Sequence, residues 1–89
     1  MQSQLHVTNV QLYPVNESVS LKAIVQVTFN NVLKIAGLKL FEGDEGMYLR
    51  YPTNPKSKKK LCYAFPLDAD LRTYIQEEVI EEYYNGTNT

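Results

Sequence analysis

The chain has 89 residues, of which 44% are hydrophobic, and its formal net charge is −1 at pH 7. A chain of this length forms one small domain that buries only about 60–65% of its unfolded surface, so its core is thin. The nearly neutral charge excludes a general positive field that would attract nucleic acid to the whole surface.

Cysteine content and hydropathy bear on the compartment. Cys62 is the only cysteine, which excludes an intrachain disulfide and favours a reducing cytoplasm. No apolar run approaches the roughly 20 residues of a membrane span, and the N-terminus lacks the basic-then-apolar order of a signal peptide. We therefore expect a cytoplasmic protein that does not associate with membranes. No repeat or long linker divides the chain, so residues 1–89 are predicted to form a single domain.

The first two predicted strands cover residues 5–13 and 21–29, with a polar connection between them. A register shift near Asn9 is expected in the first strand, because its apolar residues change phase there. In the second strand every odd position is apolar and only Ile24 breaks the alternation. A period of two places one face of a strand on a core and the other in water.

Two turns and two further strands follow directly. Asn30 and Asn31 tolerate the left-handed backbone that a tight two-residue hairpin needs. The return strand, residues 32–42, changes phase at Gly37, where we predict a β-bulge. Residues 43–46 form the second turn, and the next strand covers residues 47–51 until Pro52 stops it.

A loop over residues 53–60 leads to a predicted fifth strand at residues 61–65, which Pro66 closes. Asp68 or Asp70 can then accept hydrogen bonds from the first turn of a C-terminal helix. That helix is expected to run to about Tyr84, which makes residues 5–84 the ordered core and 85–89 a flexible tail.

The C-terminal helix is amphipathic, because apolar residues ascend one side at steps of four and glutamates occupy the opposite arc. The apolar side carries Leu71, Ile75, Val79 and Tyr83, with Ile80 alongside. The predicted fold class is therefore α+β, an antiparallel meander of about five strands with one C-terminal helix. The open sheet edges and the thin core favour a homodimer that forms through those edges.

Charge is unevenly distributed along the chain. Residues 68–82 contain six acids and a single cation, Arg72. Residues 50–60 contain no acid and five cations: Arg50, Lys56, Lys58, Lys59 and Lys60. A local lysine cluster can bind phosphates on an acidic protein, because salt screens fields beyond about 8 Å. Alternatively, the lysines only keep the loop solvated or pair with the chain's own glutamates.

Catalytic and metal-binding arrangements are not indicated. His6 is the only histidine and lies far along the chain from Cys62, and no serine has a neighbouring base. Asp44 and Glu45 are explained by a turn, so they do not predict a metal site. We expect no enzyme activity, no cofactor and no small-molecule substrate.

Two tyrosines flank one of the cations. Tyr48 and Tyr51 lie on either side of Arg50, and such combinations can stack the bases of a single strand. Tyrosines are common in strands for packing reasons alone, and the packing interpretation is favoured here.

Several short segments match a known bacterial family in order and spacing. The matching residues are Val7-Thr8-Asn9-Val10 with Leu12, Lys22-Ala23-Ile24, Val27-Thr28-Phe29-Asn30-Asn31, Leu40-Phe41-Glu42-Gly43, Gly46-Met47-Tyr48-Leu49, and Ile75-Gln76-Glu77 with Val79 and Glu82-Tyr83. Together they resemble the SpoVG (stage V sporulation protein G) family over residues 5–84. The resemblance implies a dimeric regulator in sporulation, septum formation and cell division, which contacts DNA or RNA through basic residues near the last strands and the helix.

The resemblance carries over to only some of the candidate residues. Arg72 falls where the family has an arginine in the first turn of the helix. Arg50, Lys56, Lys58, Lys59 and Lys60 fall in the family's variable hairpin, so their positions are not matched individually. Cys62-Tyr63 and Phe65-Pro66 stand where the family pattern has Asp-Ile and His-Pro. The predicted nucleic-acid-binding residues are therefore Arg50, the four lysines of the loop and Arg72.

A second hypothesis makes the chain a protein-interaction module that does not bind nucleic acid. An exposed sheet edge and the acidic helix would then recruit a division or regulatory protein by strand addition or charge complementarity. The acidic net charge and the glutamates at 77–82 favour this alternative.

Overall fold

The computed structural model describes residues 5–16, 19–59 and 61–87. Within these ranges, four antiparallel strands form one sheet in the order β1-β2-β3-β4, and one helix follows them. The elements are β1 (Val7–Pro14), β2 (Leu21–Phe29), β3 (Leu33–Gly43), β4 (Gly46–Arg50) and α1 (Ala69–Thr87). The predicted α+β class, an antiparallel meander with a C-terminal helix, is confirmed. Within the described ranges, no helix combines the length and the apolar content that crossing a bilayer requires.

Strand β2 supplies the centre of the core, as its alternation predicts. Ala23, Val25 and Val27 are fully buried and Phe29 nearly so. The buried residues of the neighbouring elements complete this core: Leu38, Leu40, Leu49, Tyr51, Ile75 and Val79. The face of the sheet that carries these side chains, here called the inner face, is the one on which α1 packs. The opposite face is called the outer face.

The hairpin between β2 and β3 has the predicted turn. Asn30 and Asn31 both adopt left-handed backbone, with φ of 52° and 58°. The amide of Val32 donates to the carbonyl of Phe29 over 2.9 Å and closes the turn. Consequently β3 begins at Leu33, one position later than expected.

Both predicted irregularities in the strands are present. In the β2–β3 register Val25 pairs with Leu38 and Val27 with Ile35, which leaves Ala36 and Gly37 opposite one residue of β2. Gly37 has a φ of +82°, so the phase change at this glycine is a β-bulge. The register of β1 also shifts between Val7 and Asn9.

The predicted fifth strand is wrong. In the described part of the chain, residues 61–65 make only an isolated bridge, between Thr53 and Cys62, and the sheet has four strands. The flanking hydrogen bonds join Asn54 to Leu61 and Tyr63 to Pro52, which closes the segment's own loop. Leu61 and Tyr63 are 61% and 69% exposed, so the apolar side chains of this segment do not join the core as those of a fifth strand would. A local bridge that meets a proline, which has no amide hydrogen to donate, does not extend into a strand.

The start of the helix matches the prediction and its end does not. The Leu71 amide donates to the Asp68 carboxylate over 3.0 Å, which identifies Asp68 as the capping residue. The helix was expected to end near Tyr84 but continues to Thr87, because Asn85 and Gly86 do not adopt the left-handed φ of a C-cap. Of the predicted tail at 85–89, positions 88 and 89 lie outside the described residues.

Side chains of α1 tie the helix to both edges of the sheet. The Tyr74 hydroxyl accepts a hydrogen bond from the Val7 amide of β1 over 3.0 Å. The side-chain carbonyl of Gln76 accepts one from the Leu49 amide of β4 over 3.1 Å. Each bond occupies an amide on an edge strand, so the helix fixes its position across the inner face by contacts at two opposite sides.

The bulge glycine provides a test of this register. We expect Gly37→Ala to lower the free energy of unfolding by about 1–2 kcal/mol, because an L side chain is strained at positive φ. Steric clash contributes little, since an added Cβ would lie 3.6 Å from the Pro52 Cβ. Urea denaturation measures the change. Gly86→Ala is the matched control, because Gly86 is helical with open space around it, and that variant should be at least as stable as the parent. Equal stability of the two variants would contradict a left-handed bulge at Gly37.

Candidate nucleic-acid interface

Strand β4 places one of the predicted cations on the outer face. Along β4, Leu49 points into the core and is buried, whereas its neighbours Tyr48 and Arg50 point outward and are exposed. In the β3–β4 register, Arg50 pairs with Lys39 and Tyr48 with Phe41. Two basic side chains and two aromatic rings therefore form adjacent rows on the outer face of the sheet.

The rings and the guanidinium of these rows are in contact. The ring centroids of Phe41 and Tyr48 are 5.6 Å apart and their planes differ by 15°, so the rings are stacked. The guanidinium carbon of Arg50 lies 5.6 Å from the Phe41 centroid, in cation–π range. Phe41 and Lys39 were not predicted as site residues. The Gly43–Gly46 turn is the sequence feature that identifies them. Because Gly43 pairs with Gly46 across the turn, the register that follows pairs Phe41 with Tyr48 and Lys39 with Arg50.

Arg72 approaches Arg50 from the helix, at the β4 edge of the sheet. It lies in the first turn of α1, and its guanidinium carbon is 5.8 Å from the centroid of the Tyr51 ring. Arg50 and Arg72 both line a surface depression of about 390 Å³ next to the edge of β4. The rest of its lining is Leu49, Tyr51, Thr53, Leu61, Cys62 and Phe65. The structure thus brings together two predicted residues that lie far apart in the sequence.

The lysine loop begins at the rim of this depression. Thr53 and Cys62, which line the depression, form the bridge at the base of the loop. Asn54 organises the loop, since its carbonyl accepts from the Ser57 amide and its side chain accepts from the Lys56 amide. Lys56, Lys58 and Lys59 are exposed and do not line the depression. Lys60, the remaining predicted lysine, lies outside the described residues.

The cations of this region have no carboxylate partners within the described part of the chain. There, the one ion pair joins Lys22 to Glu42 over 3.4 Å. Among the described residues, no glutamate forms an ion pair with Arg50, Arg72 or the three exposed loop lysines. For these residues, pairing of the loop lysines with glutamates of the same chain finds no support.

A group of three glutamates lies at the other edge of the sheet. Glu78, Glu81 and Glu82 line a groove of about 350 Å³ together with Asn85 and residues 7–10 of β1. Because β1 and β4 are the two opposite edges of the sheet, acidic and basic surfaces are separated by its width. A polyanion would be attracted to the β4 edge and repelled from the β1 edge.

The two tyrosines that flank Arg50 have different environments. Tyr48 is 41% exposed on the outer face, whereas Tyr51 is 8% exposed and belongs to the core. The packing interpretation is therefore correct for Tyr51, whereas Tyr48 packs on the Phe41 ring and also remains partly exposed. Among the described residues the buried Tyr51 hydroxyl has no hydrogen-bond partner. Burial raises the pKa of this phenol above its ordinary value of 10.0, and the positive charge of Arg72 opposes that rise.

Comparison with known proteins shows one family. Residues 5–85 match the family model described as SpoVG. A protein of Caldanaerobacter subterraneus subsp. tengcongensis is 31% identical over 81 residues, which cover 89% of this chain and 88% of that protein. A protein of Caldicellulosiruptor saccharolyticus is 32% identical, with 89% and 91% covered, and one of Clostridium perfringens is 31% identical, with 94% of each covered. All three carry the name "Putative septation protein SpoVG".

Removal of the Tyr51 hydroxyl tests whether this group lacks a hydrogen-bond partner. We expect Tyr51→Phe to raise the free energy of unfolding by about 1 kcal/mol. A buried hydroxyl without a partner gives up its hydrogen bonds to water on folding and gains none in return, so its removal is stabilising. The advantage should grow above pH 10, where the unfolded parent releases its phenol proton and the folded parent retains it. Denaturation at pH 7 and at alkaline pH measures both effects. The control is Tyr63→Phe at an exposed position, which should match the parent. Destabilisation by Tyr51→Phe at pH 7 would show that the hydroxyl has a partner.

Proposed function

The chain belongs to the SpoVG family, and on this premise we propose that it is a non-enzymatic bacterial regulator that binds DNA or RNA in the cytoplasm. The proposal links it to septum formation, through the name that its relatives carry, and to sporulation, through the name of the family. The convergence of Arg50 and Arg72 on one depression is the single observation that supports nucleic-acid binding most strongly.

Two guanidinium groups at one depression fit the chemistry of phosphates. Arginine offers a planar fork of donors that matches two phosphate oxygens at once, and it stays charged at every physiological pH. Both guanidiniums lie against aromatic rings, Arg50 against Phe41 and Arg72 against Tyr51, which restricts their orientation before a ligand arrives. Because neither has a carboxylate partner in the described residues, no ion pair must break on binding.

The lysine loop adds further positive charges beside this pair. Lys56, Lys58 and Lys59 are exposed on the loop whose base, the Thr53–Cys62 bridge, lines the depression. Lysines that neutralise phosphates release condensed counterions, so they supply affinity that depends on salt and not on sequence. We assign Arg50 and Arg72 to fixed phosphate contacts, and the loop lysines, including Lys60, to this general attraction.

We also propose that the protein acts as a homodimer. β1 and β4 are the edges of the sheet, and helix side chains occupy one amide on each, at Val7 and Leu49. No further strand of the described residues pairs with either edge, so a second copy could pair with the remaining length. A dimer would present two basic surfaces and thereby double the number of phosphates in contact.

A second candidate function rests on the acidic groove. Its position beside β1 allows a basic peptide to pair with that edge strand while its cations meet Glu78, Glu81 and Glu82. This arrangement supports recruitment of a division or regulatory protein without nucleic acid. Replacing these glutamates with glutamine would abolish such recruitment and leave nucleic-acid binding intact or stronger.

The salt dependence of binding tests the first candidate. We expect the affinity for a fluorescent oligonucleotide, measured by anisotropy, to fall steeply with salt. Arg50→Gln and Arg72→Gln should each weaken binding at every salt concentration. Each should also reduce the slope of log affinity against log salt by about 1, because each variant neutralises one phosphate fewer than the parent does.

The matched control is Lys34→Gln, which makes the same change in net charge at the start of β3, near the Asn30–Asn31 turn. It should bind almost as the parent does. If the arginine variants and the control behave alike, only net charge matters and the proposed interface is wrong. If the parent itself does not bind at micromolar concentration and low salt, the second candidate is favoured.

A further inference from the structure

We propose that the outer face of the sheet is a binding site for single-stranded nucleic acid, formed by Lys39, Phe41, Tyr48 and Arg50. A base stacks on the Phe41–Tyr48 pair while adjoining phosphates lie against Lys39 and Arg50. This inference rests on the proposed function, which it narrows from nucleic acid in general to unpaired strands.

The outer face is open because the chain has only one helix in its described part. Ile75 and Val79 of α1 are buried in the core on the inner face, so α1 does not reach the outer one. Two tyrosines on the outer face are nearly half exposed, Tyr13 at 46% and Tyr48 at 41%. Exposed aromatic rings on an uncovered sheet are accessible to a planar ligand.

The aromatic row already contains planar groups in contact with one another. Phe41 contacts both the guanidinium of Arg50 and the ring of Tyr48. The centroid of the Phe41 ring lies 5.6 Å from the Arg50 guanidinium carbon and 5.6 Å from the centroid of the Tyr48 ring. A nucleobase is also planar and favours the same face-to-face contacts, and guanidinium groups stack on bases as they do on rings. A base could therefore stack between two of these planar groups or on the group at the end of the row.

A cleft adjoins this row on the side of the cations. It has a volume of about 240 Å³, and its lining includes Gly37, Lys39, Phe41 and Arg50. Gly37 has no side chain, which keeps the cleft open at the bulge. Bases in a duplex present only their edges, so the faces that would contact this cleft and row are available only in an unpaired strand.

The surrounding charges determine where the phosphates run. Lys39 and Arg50 lie next to each other in the register and have no carboxylate partner among the described residues. Asp44 and Glu45 occupy the turn at the other side of Tyr48, and Glu42 is held by Lys22. The backbone of a bound strand should therefore pass over Lys39 and Arg50 and avoid the turn.

A polyanion fits this surface better than a second copy of the chain does. In a two-fold contact centred on the patch, Lys39 and Arg50 of one copy would approach the same cations of the other. Such a contact would bring like charges together with no carboxylate between them, which is unfavourable. Phosphates supply the missing negative charge.

The test compares one labelled 12-nucleotide strand with the duplex of the same sequence. In the parent we expect the single strand to bind more tightly than the duplex at equal salt. Phe41→Leu with Tyr48→Leu keeps apolar bulk but removes both aromatic faces. Its affinity for the single strand should fall at least about fivefold, with duplex affinity changed less than about twofold. Tyr13→Leu is the matched control, an exposed tyrosine of the same face outside the patch, and it should bind as the parent does.

The possible outcomes separate this inference from the function on which it rests. Circular dichroism and thermal unfolding of each variant show whether it is folded, and Lys39→Gln provides a second variant whose single-strand affinity should also fall. Equal binding of both ligands, with no effect of the aromatic substitutions, would overturn the inference and leave the proposed function standing. No binding of either ligand by the parent would overturn both. Conversion of a dimer to a monomer by the aromatic substitutions, seen in sedimentation, would show that the patch is an interface between copies and overturn the inference.

Discussion

The structure depends on one constraint, which is that a single amphipathic helix must cover the apolar face of a four-stranded sheet. The alternation of β2 gives the sheet one continuous apolar face, and Ile75 and Val79 of α1 complete the core above it. Burial of this apolar surface is the main stabilising contribution available to so short a chain. The hydrogen bonds of Tyr74 and Gln76 to the two edge strands fix the orientation of the helix across the sheet.

The distribution of charge follows from this arrangement. With its apolar side on the sheet, α1 presents its glutamates near the β1 edge, where Glu78, Glu81 and Glu82 line a groove. The start of the same helix brings Arg72 to the β4 edge, beside Arg50. The sheet's second face, which α1 does not cover, carries Lys39, Phe41, Tyr48 and Arg50. A chain with a net charge of −1 thus presents a basic surface that is distinct from an acidic one.

The features that the sequence predicted correctly were local. The bounds of β2, the left-handed turn at Asn30 and Asn31, and the bulge at Gly37 are each determined by a few neighbouring residues. The prediction of a fifth strand was wrong because residues 61–65, although typical of a strand in composition, pair with no strand of the sheet. Whether a partner strand lies beside a segment is decided by the tertiary structure. Arg50 and Arg72 were predicted as members of two segments, yet their common depression depends on the docking of the helix. The pairing of Lys39 with Arg50 and of Phe41 with Tyr48 depends on the register between β3 and β4, which the alternation within either strand does not determine.

Chemical-shift mapping of the ¹⁵N-labelled protein with a short single strand is the most direct measurement of whether the uncovered side of the sheet is the binding surface. We expect the amide signals of Lys39, Phe41, Tyr48 and Arg50 to move together during the titration, with smaller changes at Arg72. The signals of Glu78, Glu81 and Glu82 should stay in place, since their carboxylates repel phosphates. Shifts concentrated along the glutamates of α1, with an unchanged outer face, would contradict this view of how the molecule works.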